Sequence, residues 1–371
     1  MESIIPVSKP TIEEDEKQAV LEVLNSGIVA QGPVVKQLEE AFADYCGTEQ
    51  AVALNSGTAA IHTALHCAEI GPGDSVVTSP FTFVASVNPI LMQGARPKFV
   101  DIEQASFNTD SRLLEEAYDE TVKAVLPVDL YGHPADYDEI NNFAQTHDLV
   151  VIEDACQAVG AEYKGRRAGS LGHIACFSLY ATKNIMSAEG GLLTTDSEKV
   201  AQEARSFRQH GMSMDGRYEY VQLGYNYRTT DILAAIALTQ LTKTDRFNTA
   251  RIANASKMIE GLEGVAGLVV PNVKNYCKSA FHQFTVRITN GFPVSRDEFI
   301  HRMKEKAIQT AIYYPKPLHL YPHLEYLGYK EGDFPVAEQA AKEVVSLPVN
   351  PSLSETQVEY IIESVKEIAD A

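Results

Sequence analysis

The chain has 371 residues, enough for one large core and a smaller second unit. Its 31 Lys and Arg against 50 Asp and Glu give a formal charge of −19, which argues against nonspecific binding to nucleic acid or to an anionic membrane. The five cysteines are scattered and include no CxxC pair, which is typical of a reducing compartment. The N-terminus has no signal-peptide pattern, and the sequence has no 18-residue apolar run. Together these features predict a cytoplasmic protein.

Short β-branched runs alternate with helical patterns along the first part of the chain. The predicted strands are residues 51–54, 75–80, 97–102, 122–130, 149–154, 175–180 and 191–196. Several are nearly continuous in apolar residues, which is typical of strands buried on both faces, so the pattern predicts an α/β fold with a mostly parallel, helix-covered sheet.

After a predicted helix around residues 230–245 the pattern changes to that of a smaller α+β unit. This unit has predicted strands over 283–289 and 309–315 and a terminal helix at about 354–369. We therefore predict a large domain over residues 1–245, including the N-terminal segment, and a small C-terminal domain over residues 246–371.

Two ionisable residues follow predicted strands, at the ends where an open α/β sheet binds its ligands. Asp154 ends the run LVVIED, and Lys183 follows the next strand in CFSLYATKN. An acid that keeps a ring nitrogen protonated and a lysine that forms an imine are the groups that pyridoxal 5′-phosphate (PLP) most needs. In this interpretation Lys183 carries the cofactor and moves the substrate proton. The alternative is that the two residues form a structural ion pair. From these two residues alone, the cofactor site and the ion pair are about equally well supported.

A possible phosphate site favours the cofactor hypothesis. NSGTAA lies between a predicted strand and helix, where the amides of Gly57 and Thr58 would point at an anion, although an ordinary helix cap is the alternative. Ser178 could add a hydroxyl, or simply end its strand. Phe83, in SPFTFVAS, could stack on the pyridine ring, although such a residue is more often part of the core. Their co-occurrence with Asp154 and Lys183 supports a PLP site.

Other catalytic motifs are missing from the sequence. It contains no GxGxxG after a strand, no GxxxxGK[ST], no HExxH and no GxSxG. His62 and His66 share a helical spacing, but no glutamate completes a metalloprotease pattern, so we expect ordinary histidines on a packed helix. The sequence predicts no metal site.

Several longer motifs are specific in combination, among them SGTAAIHTAL, GPGDSVVTSPFTFVAS, PVDLYGHPAD, VIEDACQAVGAEYKGRRAGSLG, CFSLYATKN and GYNYRTTDILAAIALTQL. With these motifs the chain resembles, nearly end to end, the PLP-dependent nucleotide-sugar aminotransferases of the DegT/StrS family. That family has the aspartate aminotransferase fold, PLP fold type I. The resemblance implies that Lys183 is the Schiff-base lysine and Asp154 the partner of the pyridinium nitrogen.

The resemblance also implies further cofactor contacts. Gln157 is similar to the family's glutamine beside the cofactor 3-hydroxyl, and the phosphate and ring-stacking positions are matched by Gly57, Thr58, Ser178 and Phe83. Asn226, in GYNYR, corresponds to an asparagine that in this family reaches the phosphate of the neighbouring subunit's cofactor. A homodimer with shared active sites is therefore implied.

One departure from the family pattern follows the lysine. The family usually has glycine where this chain has Ala188, directly before Glu189. Because of this added methyl group, the sequence does not decide how this loop contacts the substrate. Position 183 is more informative, because family members that became sugar dehydratases carry histidine there, so the retained lysine favours transamination.

By resemblance, the expected reaction moves an amino group from L-glutamate to a nucleotide-linked keto-sugar, with a 4-keto-6-deoxyhexose favoured, for amino-sugar and polysaccharide biosynthesis. The predicted substrate contacts are Arg228, Arg287, Lys316 and Glu189. A structural ion pair is the favoured alternative for each arginine, and a solvated loop for the basic run 164–167. Rival functions are an aminotransferase for a 3-keto-sugar or keto-cyclitol and a noncatalytic sensor that binds PLP or a nucleotide sugar.

Overall fold

The computed structural model describes residues 4–213, 216 and 218–370. The helices are α1 (Glu14–Ser26), α2 (Pro33–Cys46), α3 (Gly57–Cys67), α4 (Asn88–Met92), α5 (Leu114–Ala117), α6 (Tyr137–Thr146), α7 (Glu198–Arg208), α8 (Asp231–Leu241), α9 (Thr244–Leu262), α10 (Arg296–Glu305), α11 (Pro335–Glu343) and α12 (Glu355–Ala369). The strands are β1 (Gln50–Leu54), β2 (Ser75–Thr78), β3 (Arg96–Phe99), β4 (Val122–Leu126), β5 (Val150–Asp154), β6 (Glu162–Tyr163), β7 (Arg166–Arg167), β8 (Ile174–Ser178), β9 (Gly191–Thr195), β10 (Leu268–Val269), β11 (Cys277–Lys278), β12 (Phe284–Ile288) and β13 (Val344–Leu347). In the described ranges, no helix is both long and apolar enough to cross a membrane.

The main sheet of the described chain has the strand order β1-β9-β8-β5-β4-β2-β3. Strands β3, β2, β4, β5 and β8 run parallel, whereas β9 runs antiparallel to both of its neighbours. Every residue of β2, β8 and β9 is buried, because helices cover both faces of the sheet. The predicted α/β fold with a mostly parallel, helix-covered sheet is confirmed.

Alternate residues of the central strands pack into two different cores. Val151 and Phe177 belong to the core that contains residues of α2 and α6, whereas Ile152 and Cys176 belong to the core that contains residues of α3 and α7. Successive side chains of a strand point to opposite faces, so a sheet covered on both sides needs apolar residues at each position. The pairing of Asp154 with Cys176 then brings the carboxyl ends of β5 and β8 side by side.

A second, smaller sheet has the order β10-β12-β13 and is antiparallel. Residues of α9, α10 and α12 form one core with its strands, and β12 and α12 lie where the sequence predicts a strand and a helix. The boundary predicted after residue 245 falls within α9. Ile5, which the prediction assigns to the large domain, packs in this second core and pairs with Ile308.

The predicted strand over residues 309–315 is wrong. Within this described stretch, only Ala311 pairs with a strand residue, through an isolated bridge to Ser346. The chain then leaves the small sheet, and Tyr313 and Tyr314 line a cavity at the edge of the large one. The β-prone aromatic residues that suggested a strand line this cavity instead.

Candidate active site

A cavity of 340 Å³ lies at the carboxyl ends of β5 and β8. This is the edge at which an open α/β sheet binds its ligands. The predicted site residues that line it are Gly57, Thr58, Phe83, Asp154, Gln157, Ser178, Lys183 and Glu189. The fold therefore brings together residues that are widely separated in the sequence.

The carboxylate of Asp154 is buried at the end of β5 and faces this cavity. Its Oδ2 accepts a hydrogen bond from Ser86 Oγ at 2.6 Å, and its Oδ1 accepts one from the backbone N–H of Cys156 at 3.2 Å. These bonds offset part of the cost of burying a charge. Among the described residues, no basic side chain lies within 4.0 Å of the carboxylate, so it is available to a cation in the cavity.

Lys183 lines the same cavity from the loop between β8 and β9. Its backbone N–H donates to the carbonyl of Tyr180 at 2.9 Å. Burial lowers the pKa of its ammonium group. In the part of the chain that the structure describes, its Nζ has no carboxylate within 4.0 Å, so the alternative of an Asp154–Lys183 ion pair is wrong. A half-buried lysine with a lowered pKa and an amine that lacks a carboxylate partner is suited to imine formation.

The first turn of α3 presents unpaired amides beside Ser178. Ser56 caps the helix, since its Oγ accepts from the N–H of Ala59 at 3.1 Å. The N–H groups of Gly57 and Thr58 have no acceptor among residues 4–213, 216 and 218–370, so they and the helix dipole favour an anion. An ordinary helix cap thus explains Ser56 and leaves two donors free.

Aromatic rings stand at another side of the cavity. The rings of Phe83 and Tyr314 are stacked, with centroids 6.1 Å apart and planes 28° apart. Phe83 is 55% exposed, which rules out the alternative of a core residue and leaves a face free for stacking. Gln157 Nε2 donates to Tyr314 Oη at 3.3 Å, and Gln157 Oε1 accepts from the N–H of Tyr131 at 2.9 Å.

These residues fit pyridoxal 5′-phosphate. Judged by the described residues, the cavity offers amides without an acceptor and a hydroxyl for a phosphate, a buried carboxylate without a cation for a protonated ring nitrogen, and an amine without a carboxylate partner for an aldehyde. An exposed ring is available to stack on the pyridine face. Each functional part of the cofactor therefore has a complementary group in one cavity.

Gly57 lets α3 begin close to β8. A Cβ at this position would lie 2.9 Å from Ser178 Cβ and 3.0 Å from Cys156 Sγ, which close-packed atoms do not tolerate. We expect Gly57→Ala to destabilise the apoprotein by about 1–3 kcal/mol. We also expect a loss of PLP affinity of about tenfold, equivalent to about 1.4 kcal/mol. Urea unfolding and cofactor titration measure the two effects.

The matched control is Gly71→Ala, because nothing lies within 4 Å of a Cβ at that position. This variant should retain both stability and PLP affinity. Equal losses in the two variants would contradict the close approach of α3 to β8 as the reason for glycine at position 57.

Glu189 lines the cavity from an exposed loop that begins with a strained residue. Ala188 has φ +66°, in the left-handed region that favours glycine. The N–H of Glu189 donates to the carbonyl of Ser187 at 2.9 Å, which closes a tight turn. The backbone thus keeps a conformation typical of glycine at the position where the family usually has one.

Arg287, a predicted substrate contact, does not line the cavity. It is buried in β12, where Nε donates to Glu343 Oε2 at 2.7 Å. Glu343 lies in α11, so the pair joins this helix to the small sheet. The structural ion pair that the sequence analysis favoured accounts for this arginine.

The remaining basic candidates also lie outside the cavity lining. Lys316 Nζ is 5.2 Å from the ring centroid of Tyr321, and Arg228 is half-buried without a carboxylate within 4.0 Å in the described chain. The run 164–167 forms ion pairs at the protein surface, between Lys164 and Asp138 and between Arg167 and Asp245.

Asn226 is exposed and does not line the cavity of its own chain. Its backbone carbonyl accepts a hydrogen bond from Asn55 Nδ2 at 3.3 Å, which fixes it near the start of α3. Its assignment to a neighbouring subunit stays a prediction.

The two histidines of α3 have ordinary polar partners. His62 Nδ1 lies 2.9 Å from Tyr227 Oη, and His66 Nε2 lies 2.9 Å from Glu203 Oε1. Among the described residues, no group of three or more His, Cys, Asp or Glu side chains could hold a metal ion.

Sequence reasoning missed several residues of the cavity, including Ser86, His282 and Tyr314. His282 is buried, and its Nδ1 lies 3.1 Å from Asn184 Oδ1. Burial and the nearby Lys183 lower the pKa of its imidazole, so this ring is neutral. His282 and Tyr314 come from segments of the second unit, and no local motif marks their approach to the large sheet.

Solved structures share this architecture. The crystal structure of S. venezuelae DesV in complex with a ketimine intermediate matches with a TM-score of 0.92 and 36% identity, over 96% of this chain and 95% of that one. Fold and site define a PLP-dependent aminotransferase of fold type I. The family profile described as DegT/DnrJ/EryC1/StrS aminotransferase matches residues 10–366, and the chain belongs to this family.

Two curated relatives cover almost the whole chain. GDP-perosamine synthase of Caulobacter vibrioides is 36% identical over 366 residues, which are 98% of this chain and 98% of the relative. The dTDP-3-amino-3,4,6-trideoxy-alpha-D-glucose transaminase of Streptomyces venezuelae is 36% identical over 353 residues, or 95% of this chain and 91% of the relative. The family resemblance and the aminotransferase activity predicted from the sequence are confirmed.

Proposed function

We propose that the protein transfers an amino group from L-glutamate to a nucleotide-linked keto-sugar, favouring a 4-keto-6-deoxyhexose, in amino-sugar and polysaccharide biosynthesis. The observation that carries this proposal is one cavity in which, among the described residues, a carboxylate without a basic partner, an amine without a carboxylate partner and helix amides without an acceptor meet. The names of the two curated relatives, a GDP-sugar synthase and a dTDP-sugar transaminase, support the nucleotide-linked substrate.

When bound, PLP supplies an electron sink for the charge left at a carbon that loses its proton. In our proposal Asp154 keeps the ring nitrogen protonated, because its buried carboxylate has no competing cation. Lys183 Nζ removes the proton from the amino donor and returns one to the sugar carbon, for which a lowered pKa is an advantage. The α3 amides and Ser178 anchor the phosphate, and Phe83 orients the ring.

The substrate proposal predicts a large preference for the nucleotide-linked ketone. With L-glutamate as donor, we expect formation of 2-oxoglutarate and of the 4-amino sugar nucleotide. The free keto-sugar should have a kcat/KM at least about 100-fold lower, because about 2.7 kcal/mol of remote binding energy is lost. Coupled detection of 2-oxoglutarate measures both rates. Equal turnover of free and linked ketones, or a preference for simple 2-oxo acids, would contradict the nucleotide-sugar proposal and leave the PLP site intact.

A second candidate is amination at C3. The dTDP-linked relative is named for a 3-amino sugar, and such an enzyme would use the same cofactor residues. The same assay with 3-keto and 4-keto isomers, and with a keto-cyclitol, separates these substrates. A protein that releases no 2-oxo acid from any amino donor would instead support the rival sensor function.

We also propose a homodimer in which Asn226 reaches the partner's cofactor phosphate. Asn226 is exposed and lies outside its own cavity, and the nearby side chains of Val221 and Leu223 are 64% and 75% exposed. Exposed apolar side chains next to a polar functional residue are typical of an interface.

Subunit mixing tests this arrangement. When Asn226→Ala and Lys183→Ala chains are mixed equally, each heterodimer regains one unaltered site if Asn226 crosses the interface. Random exchange should therefore restore about a quarter of the wild-type sites, with a matching recovery of activity. Each variant mixed with itself is the control, and native mass spectrometry verifies exchange. Heterodimers without recovered activity would show that Asn226 serves its own chain.

A further inference from the structure

Two fully buried carboxyl groups lie beside Asp154 without a cation. Asp129 follows β4, Glu153 precedes Asp154 in β5, and both side chains are 0% exposed. Across the described ranges, no Lys, Arg or His nitrogen lies within 4.0 Å of either carboxyl group. Two unpaired buried charges next to each other would cost several kcal/mol, so one of them must be neutralised.

The hydrogen bonds distinguish the two carboxyl groups. Glu153 Oε1 accepts from the N–H of Gly169 at 2.6 Å, and Oε2 accepts from the N–H of Leu171 at 3.0 Å. Both oxygens thus have donors, as an ionised carboxylate requires. Asp129 differs, because its Oδ2 is buried and has no hydrogen-bond donor in the described chain.

The other oxygen of the Asp129 carboxyl group accepts hydrogen bonds from the segment that follows it. Oδ1 accepts from the N–H of Ala135 at 2.9 Å and from Tyr137 Oη at 3.0 Å. Burial raises the pKa of Glu153, and a side-chain hydrogen bond with Asp129 is among the interactions that lower it. A proton on Oδ2 would therefore satisfy the oxygen that lacks a donor and give Glu153 another one.

The electrostatic surroundings agree with this geometry. Burial, and next the charge of Glu153, raise the pKa of Asp129 well above its usual range. Burial also raises the pKa of Glu153, to about 7, and its backbone amide donors oppose that rise. The titratable neighbours of the pair in the described chain include Asp154, Tyr137, Cys46, Cys176 and Cys277, and none of these five carries a positive charge.

We propose that Asp129 is held as a neutral carboxylic acid that donates its proton to Glu153 in a hydrogen bond and positions the Asp154 segment without adding a negative charge. Its backbone N–H donates to the carbonyl of Asp154 at 3.0 Å. Two residues further on, the N–H of Tyr131 donates to Gln157 Oε1 at 2.9 Å, so the same loop fixes another cavity residue. The benefit to Asp154 rests on the proposed function, whereas the protonation of Asp129 does not.

Infrared difference spectroscopy tests the protonation directly. Wild-type protein at neutral pH should show the carbonyl-stretch band of a protonated carboxylic acid, which shifts on deuteration and on labelling of aspartate with ¹³C at the side-chain carboxyl. Asp129→Asn should lack this band. Asp101→Asn is the matched control, because Asp101 is also buried but accepts hydrogen bonds from the N–H groups of Val336 and Ala337, and it should retain the band. A wild-type spectrum without an aspartate-labelled band would overturn the proposal, even if a variant fails to fold.

Activity separates a neutral Asp129 from a charged one. The amide of Asp129→Asn can accept the bonds to Oδ1 and donate to Glu153, so kcat/KM and its pH profile should stay within about threefold of wild type. Asp129→Ala leaves the N–H of Ala135 and the hydroxyl of Tyr137 without their acceptor, and its thermal midpoint and cofactor affinity should fall. A more than tenfold loss in a folded Asp129→Asn protein would show that the charge of Asp129 is required. That result would overturn the proposal without affecting the PLP assignment.

Discussion

Lys183→Ala should lose kcat by about 10⁴-fold or more while it still binds the cofactor, because the same amine serves imine exchange and proton transfer. The proposed phosphate donors at the start of α3 do not involve this side chain, so PLP affinity should fall much less than turnover. Single-turnover absorbance with L-glutamate measures the chemical step, and equilibrium dialysis measures binding.

Borohydride reduction of the wild-type holoenzyme identifies the lysine independently. Peptide mapping should find the reduced pyridoxyl group on Lys183. Lys257→Ala is the control, since this lysine pairs with Glu355 and Glu359 and lies outside the cavity. It should leave turnover unchanged. A reduced group on another lysine would contradict the assignment of Lys183.

Asp154→Asn should lower kcat by about 10- to 1,000-fold with little effect on folding. A nearby carboxylate shifts the pKa of its partner by about 1–3 units, and each unit corresponds to a factor of ten in the ring protonation that the reaction needs. The amide can keep a hydrogen bond to the N–H of Cys156, and the hydroxyl of Ser86 can accept from it. Stopped-flow kinetics and thermal unfolding measure the two properties.

Ser86→Ala is a useful comparison for Asp154→Asn. It removes a hydrogen bond to the carboxylate but keeps the negative charge, so the loss of kcat should be much smaller. A near-wild-type rate in Asp154→Asn would instead show that another group keeps the ring protonated.

The sequence predicted the large sheet well because the residues that form it carry local patterns. Buried parallel strands such as β5 and β8 consist mostly of apolar residues, and the ionisable residues at or after their carboxyl ends are conspicuous for that reason. The orientation of β9 has no such pattern, because an apolar strand between two others satisfies either direction. The error at residues 309–315 has a related cause, since β-prone aromatic residues there line a cavity.

The cavity residues that were missed depend on contacts distant in sequence. Ser86 is recognisable only once its hydroxyl faces Asp154, and His282 only once the second unit packs against the Lys183 loop. Arg287 illustrates the opposite case, because an arginine alone does not reveal whether an anion or Glu343 is its partner. These assignments require tertiary structure, because the same residue types also serve ordinary structural purposes.

The antiparallel strand β9 links the assembly of the site to the order in which the chain is synthesised. β1 pairs with β9, and β9 also pairs with β8. The edge strand β1 is synthesised early, but its partner β9 is present only after much more of the chain has been made. The helix that follows β1 carries the proposed phosphate donors, and Lys183 lies between β8 and β9. The start of α3 and the Lys183 loop therefore both depend on the pairing of β9 with its two neighbours. A nascent chain that ends before β9 should not retain PLP, and cofactor capture marks the completion of the large sheet.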